Sequence, residues 1–289
     1  MRETAAMKIS RLATALGADI TDVDLLTADD EMVEDIRAAV VEHSVVMIRD
    51  QVHLGLDGLE AFTHRIGTPI DTPFVKPMDD RPDVVQVVKE KGERALNFGG
   101  GWHTDLSYQV APPSFTLLWA YDVPPYGGDT VWSNQVRAFE TLSSGLQDCL
   151  LGLRAVHSAG RPYGTGGVYD VTQKGRTMTI LPGPDAFAEH EHPVVTPHPD
   201  TGRPILFLNS GYVTRFAGWA AHESQALLSQ LYKHSQSEAN TCRAHWTNGT
   251  LAIWDNRATQ HNALNDYPDF RRELFRTTVA GTPPVAYTG

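Results

Sequence analysis

His103 and Asp105 flank a single threonine in GGGWHTDLSYQ (99–109), straight after three glycines and a tryptophan. On an extended segment both side chains leave the same face, because side-chain direction alternates with period two. An imidazole nitrogen and a carboxylate oxygen converging from one face are two ligands for a divalent cation. Until a third ligand is found, a surface turn carrying a charged pair reads the same way. Farther along, Arg272 and Arg276 lie in YPDFRRELFRTT with Leu274 between them, all on one face of a strand, while Arg271 and Phe275 take the other. Two guanidinium groups pointing inward from an apolar strand need anions, since unpaired buried charge is costly. Those anions are either carboxylates of this chain or a bound acidic molecule. His261 precedes Arg272 with ten residues between them.

The elements that must position these groups follow from periodicity. TADDEMVEDIRAAVVEHS (27–44) opens on acids and repeats apolar residues at helical spacing, and VVMIRD (45–50) follows as a short buried strand. GLEAFTHRIG (58–67) is a second helix ended by Gly67. DVVQVVK (83–89) and SFTLLWAYDV (114–123) are strands; residues 134–155 make two short helices broken near Ser143–Gly145. Residues 160–191 are glycine-rich, poor in aliphatics and without a period, which predicts a long mobile loop acting as a lid. A hairpin over 194–209 turns at Asp200–Gly202, a helix covers 222–237, and TCRAHW, TNGTLAIWDN and RRELFRTTVAG are the last strands. Connections too irregular for a βαβ series predict an antiparallel sandwich or jelly roll with added helices, in one domain over 1–289.

At 41% hydrophobic and 20% charged residues, the 289-residue chain has the composition of a soluble globular domain. Its 24 basic against 35 acidic residues leave a formal charge of -11, which argues against nucleic-acid or anionic-membrane partners but not against a small anion met by a local arginine. Cys149 and Cys242 suggest neither a disulfide framework nor a thiolate metal site. The N-terminal MRETAAMKISRLATALGADI lacks a long apolar stretch, so a cytoplasmic location is expected. A homo-oligomer fits the composition as well as a monomer does.

H-x-D, a distant histidine and then an arginine after ten intervening residues resemble the facial triad of iron(II)/2-oxoglutarate-dependent dioxygenases. LGADITDVDL, WHTDLSY, APPSFTLLWAYDVPPYGGDTVW, LFLNSGYVTR, IWDNRATQH and YPDFRRELFRTTVAG, in order from residue 16 to 281, are similar to the taurine dioxygenase/2,4-dichlorophenoxyacetate dioxygenase family. The resemblance implies a double-stranded β-helix core flanked by helices, and an iron(II) held by His103, Asp105 and His261. It implies 2-oxoglutarate and dioxygen as co-substrates, with Thr130 and Arg272 on the distal C5 carboxylate, Arg276 near the C1 carboxylate or a substrate anion, and Trp246 lining the co-substrate pocket. The implied reaction converts 2-oxoglutarate to succinate and carbon dioxide while oxidising a C–H bond of a small, anionic organic substrate. Because halogenases of this superfamily lack the carboxylate, Asp105 points to hydroxylation, with desaturation or cyclisation using the same chemistry.

The chain departs from the taurine branch where it carries Thr72 in place of a histidine and Gly99 in place of an asparagine, which argues against taurine itself. AVHSAGRPYG (155–164) and RTTVAG look closer to the aryloxyalkanoate branch. Tyr163, Phe74 and Tyr212 match aromatic positions of the substrate wall. His157 and His245 read as structural histidines; His190, His192 and His198 read as a solvated loop rather than a second metal site. Two other classes use the same residues. A zinc-dependent hydrolase built on the triad leaves Thr130, Arg272 and Arg276 unexplained, and a non-catalytic jelly-roll binding protein makes the triad a relic.

Overall fold

Asp29 starts the first helix, Asp30–His43, by accepting the backbone N–H of Met32 at 2.9 Å. Asp30 and Glu31 then meet the positive end of the helix, and Val33, Ile36, Ala39 and Val40 form its buried stripe. Ser44, at φ 63°, ends it and delivers the chain into the fully buried strand Val45–Ile48. A second helix, Gly55–Ile66, buries Leu59, Phe62 and Ile66. The computed structural model describes residues 7–289, so the first six residues of the N-terminal stretch lie outside the described part.

Both helices pack on one face of a seven-stranded sheet. Its strands run in the order Lys8–Arg11, Ala18–Thr21, Val45–Ile48, Leu251–Asp255, Phe115–Asp122, Arg272–Val279 and Val85–Lys89. All neighbours are antiparallel except Ala18–Thr21 beside Val45–Ile48. One core fills the space under the helices with Ile36, Leu59, Phe62, Leu117, Ile253 and Phe275. On the opposite face a second core of Leu118, Trp132, Trp246, Trp254 and Leu274 joins the large sheet to a three-stranded sheet, Thr241–Ala244, Thr130–Asn134 and Thr259–Ala263. Val213–Phe216, Arg154–Ser158 and Glu189–Pro193 form another three-stranded sheet. Two facing sheets of mostly antiparallel strands with helices outside make the jelly-roll architecture expected from the sequence.

Three local expectations are corrected. The H-x-D segment is not a strand: His103 makes one antiparallel bridge, to His261, and the chain then turns through Asp105. The 134–155 segment breaks at Thr141–Ser143 and ends in a strand rather than a helix. Residues 160–191 are not structureless. They contain the short helices Gly160–Tyr163 and Val168–Val171, a 3-10 turn at Pro184–Phe187 and the start of the strand Glu189–Pro193. Tyr163, Tyr169, Met178, Ile180 and Ala186 are buried from this segment, spread over short helices, an extended stretch and a 3-10 turn, which is why no single period is visible. Among the described residues no helix is long and apolar enough to cross a membrane.

Candidate active site

The bridge between His103 and His261 is closed by two backbone hydrogen bonds, His103 N–H to His261 O at 3.1 Å and His261 N–H to His103 O at 2.8 Å. It brings the two imidazoles to 4.2 Å between centroids. Asp105 completes the group, and the three residues offer ligand atoms all within 4.8 Å of one another. His103 Nε2 lies 3.6 Å and His261 Nε2 3.9 Å from Asp105 Oδ1. The far side of each group is held. His103 Nδ1 donates to the Gly101 carbonyl at 2.8 Å, which places a proton on Nδ1 and turns Nε2 toward Asp105. Thr116 Oγ1 donates to Asp105 Oδ2 at 2.8 Å and accepts from Asn256 Nδ2 at 2.8 Å, while Asn256 Oδ1 accepts from Trp254 Nε1 at 2.9 Å.

Electrostatics prepare the same set. Burial pushes the Asp105 carboxyl up, but Arg276, His261 and His103 outweigh it and hold the group well below the usual carboxylate range. Burial, helped by His103, pushes His261 down to about 3, against the pull of Asp105. An ionised carboxylate between two imidazoles, with His261 kept neutral by burial and His103 oriented by its bond to the Gly101 carbonyl, is the donor chemistry of a divalent metal with open positions on its other face.

Beside the triad, Arg272 is only 5% exposed and stacks on Trp246 at 5.7 Å and Tyr267 at 5.8 Å. Its Nε and Nη2 find no hydrogen-bond partner. Asp129, the nearby acid, is taken by Arg243 at 2.6 Å and His245 at 2.8 Å. Trp246 Nε1 donates to Thr130 Oγ1 at 3.0 Å, so the Thr130 hydroxyl proton is free to donate elsewhere. Thr130, Arg272, His103, His261 and Arg276 share a small cavity walled by Leu118 and Trp254. Gly128 lets Arg272 lie there: at φ +66° it is left-handed, and a Cβ would stand 3.1 Å from Arg272 Cδ and Nε. The unpaired guanidinium and free hydroxyl fit a carboxylate.

A larger cavity of about 150 Å³ opens on the other side of His103 and Asp105. Tyr163, Tyr212 and Arg276 line it, as do Thr72, Trp102 and Tyr169. Arg276 Nη2 stands 3.2 Å from Asp105 Oδ1 and makes no other polar contact. Phe74 is not on the wall. It stacks behind Tyr163 at 5.5 Å, in a left-handed conformation at φ 66°, so it shapes the cavity through Tyr163. Thr116 and Tyr169 were missed by the sequence reading. Thr116 is one polar residue inside an apolar strand, a signal that was there; Tyr169 lies in the segment without a period.

The remaining histidines sort differently. His157 is fully buried with Nδ1 at 3.1 Å from Ser107 Oγ, and His245 is bound to Asp129, both structural as expected. His192 and His198 are buried rather than solvated: His192 Nε2 bonds the Gln109 carbonyl at 2.9 Å, and His198 Nε2 bonds Asp255 Oδ2 at 3.1 Å. His198, Asp200 and Asp255 also cluster closely enough for an ion. Arg257 already supplies the positive charge there, reaching Asp255 at 2.6 Å and Asp200 at 2.7 Å, so this cluster is an ion-pair network.

Residues 8–278 match the family described as taurine catabolism dioxygenase TauD, TfdA family. The chain is 35% identical to an alkylsulfatase of Acinetobacter baylyi, across 96% of this chain and 86% of that protein. It is likewise 35% identical to an alpha-ketoglutarate-dependent sulfate ester dioxygenase of Pseudomonas putida, across 98% and 92%. The crystal structure of a taurine dioxygenase from Burkholderia xenovorans superposes with a TM-score of 0.80 at 34% identity, covering 97% of this chain and 91% of that one.

Proposed function

The chain belongs to the TauD/TfdA family and is an iron(II)/2-oxoglutarate-dependent dioxygenase; from that premise we propose that it oxidises a small organic anion of the sulfate-ester type. Neither the zinc hydrolase nor the non-catalytic binding protein gains support from the comparisons. We assign the iron to His103, Asp105 and His261, the C5 carboxylate of 2-oxoglutarate to Arg272 and Thr130, and the anionic end of the substrate to Arg276. The observation that carries this assignment is the pair of buried arginines without hydrogen-bonded acceptors on either side of one acid and two histidines.

When bound, the metal couples oxidative decarboxylation of 2-oxoglutarate to oxidation of a substrate C–H bond. The protein supplies position and exclusion. Trp246 fixes the Thr130 hydroxyl and stacks on Arg272, so the co-substrate anchor is rigid before binding. Arg276 lines the substrate cavity 3.2 Å from Asp105, which would set the anionic head beside the metal ligands and the rest of the molecule against Tyr163, Tyr169 and Tyr212. Hydroxylating the carbon that bears a sulfate ester oxygen leaves an unstable adduct that collapses to an aldehyde and free sulfate. The same arginine can hold a carboxylate, so an aryloxyacetate is the competing substrate within the class. We also propose that residues 160–191 act as a lid, since they deliver Tyr163 and Tyr169 to the cavity from a segment of short helices and turns.

The test is succinate formation with iron(II), 2-oxoglutarate and oxygen, over a panel of medium-chain alkyl sulfates, sulfonates and aryloxyacetates. Sulfate released in step with succinate from the alkyl sulfates is the expected result. Succinate at the background rate with every alkyl sulfate, but above it with an aryloxyacetate, would transfer the assignment to the latter.

A further inference from the structure

Thr116 is buried in the strand Phe115–Asp122, on the face it shares with Leu118 and Ala120. A valine would suit that place, so a hydroxyl there needs a partner. Thr116 lies directly across from Trp254 of the neighbouring strand Leu251–Asp255. An indole N–H can only donate, and that of Trp254 donates to Asn256 Oδ1 at 2.9 Å. This fixes which way the Asn256 amide faces, and Nδ2 donates to Thr116 Oγ1 at 2.8 Å. The Thr116 hydroxyl, its oxygen engaged by that donor, gives its proton to Asp105 Oδ2 at 2.8 Å. All four residues are at most 2% exposed, so solvent does not compete for these bonds. The chain has one direction, set at its far end by a group that cannot accept. It leaves Asp105 Oδ1 as the oxygen facing His103 Nε2 at 3.6 Å and His261 Nε2 at 3.9 Å. The same indole packs on the His261 ring at 4.8 Å between centroids, so Trp254 touches one member of the triad and steers another.

We propose that Trp254, Asn256 and Thr116 are positioning residues for the metal: their directed chain pins Asp105 Oδ2 and presents Oδ1 to the cation. The proposal rests on the assignment of the iron to His103, Asp105 and His261. It differs from a structural role in what its loss would change. Losing a purely structural chain lowers the melting temperature and leaves the metal affinity of the folded protein alone. Losing a positioning chain changes that affinity, and does so only while Asp105 is there to be positioned.

The experiment titrates Mn(II) alone into wild type, Thr116→Val, Thr116→Ser, Asn256→Ala, Asp105→Ala and the double variant of Thr116→Val with Asp105→Ala. The free ion is followed by electron paramagnetic resonance at a temperature where every protein is folded by its melting curve. Thr116→Val should weaken Mn(II) binding by about ten- to a hundredfold, the usual effect of removing a group that holds a metal ligand. Thr116→Ser keeps the hydroxyl and should restore affinity to within about threefold of wild type. Asn256→Ala frees the Thr116 proton to turn away and should weaken binding about fivefold, the effect of one neutral hydrogen bond. In the Asp105→Ala background, Thr116→Val should add nothing. Mn(II) affinities of Thr116→Val and Asn256→Ala equal to that of wild type would overturn the proposal. So would an undiminished effect of Thr116→Val once Asp105 is gone. An Asp105→Ala variant that binds Mn(II) as tightly as wild type would overturn the metal assignment, and the proposal with it.

Discussion

Replacing Arg272 with methionine should raise the stability of the co-substrate-free protein while destroying 2-oxoglutarate binding. The Arg272 side chain is buried and, among the described residues, leaves two nitrogens without partners and forms no ion pair, while burial lowers its pKa against the weaker pull of Tyr267 and Asp129. An uncompensated buried charge costs several kcal/mol. Stacking on Trp246 and Tyr267 returns about 1 kcal/mol each. Methionine keeps most of the aliphatic stem and its packing, so a net gain of about 1–3 kcal/mol is expected. For a chain of this size that is a rise of about 2–6 °C in melting temperature. Losing the charged pair with the C5 carboxylate costs about 3–5 kcal/mol, or at least about a hundredfold in dissociation constant. The difference in melting temperature between the two proteins, loaded with Mn(II), should therefore shrink or reverse when 2-oxoglutarate is added. Without 2-oxoglutarate the variant melts higher; with it at a hundred times the wild-type dissociation constant, wild type gains about 2.7 kcal/mol and the variant almost nothing. A variant that melts below wild type without 2-oxoglutarate, and still gains stability from it, would refute the unpaired-anchor reasoning.

The remaining predictions concern geometry, pH and motion. A Cβ on Gly211 would lie 2.8 Å from His103 Cβ, so Gly211→Ala should displace that imidazole, cost about 1–3 kcal/mol of stability and weaken Mn(II) binding; equal metal affinity by titration would contradict it. Burial lowers the pKa of His43 and His192, and burial with His192 lowers that of His157 well below 6.5. The unfolded chain therefore takes up protons first as pH falls below 6.5, so stability declines from there downward by up to about 1.4 kcal/mol per pH unit for each group. Chemical denaturation of His157→Gln between pH 7 and 5 should show a shallower decline, and an unchanged slope would count against His157 as a source. Hydrogen exchange over residues 160–191 should slow when a turned-over substrate joins iron and 2-oxoglutarate; protection that is already high and does not change would remove the lid.

The legible part of the site lay where local alternation decides orientation. Arg272, Leu274 and Arg276 share the inner face of one strand, as period two requires, while Arg271 turns out to Glu90 at 2.9 Å and Asp122 at 3.3 Å. His103 and Asp105 were correctly paired, but not by the strand that alternation suggests. Their convergence depends on a bridge to His261 across the length of the chain, a pairing no local spacing encodes. Tyr169 gave a weaker signal because in a segment without a period tertiary packing alone decides which way it points, whereas Thr116 stands out as a polar residue inside an apolar strand. His192 and His198 were misread as solvated because Pro-rich flanks look like turns. In the fold those flanks belong to the strand Glu189–Pro193 and the hairpin beside it, which carry both imidazoles inward.

The acidic balance of the chain and the basic interior of its site act over different distances. A formal charge of -11 repels small anions from afar, yet that repulsion is screened within about 8 Å at physiological salt. Inside the jelly roll, Arg272 and Arg276 stand in a low-dielectric space without hydrogen-bonded acceptors, where an arriving carboxylate or sulfate gains far more than it would at the surface. The acids that could neutralise them are engaged elsewhere: Asp129 with Arg243 and His245, Asp255 with Arg257, and Glu273 with Arg271. Asp105, the carboxylate that Arg276 does reach, is shared with two imidazoles. Pairing every other buried acid with its own cation is what leaves the two arginines available for the anions we propose they hold.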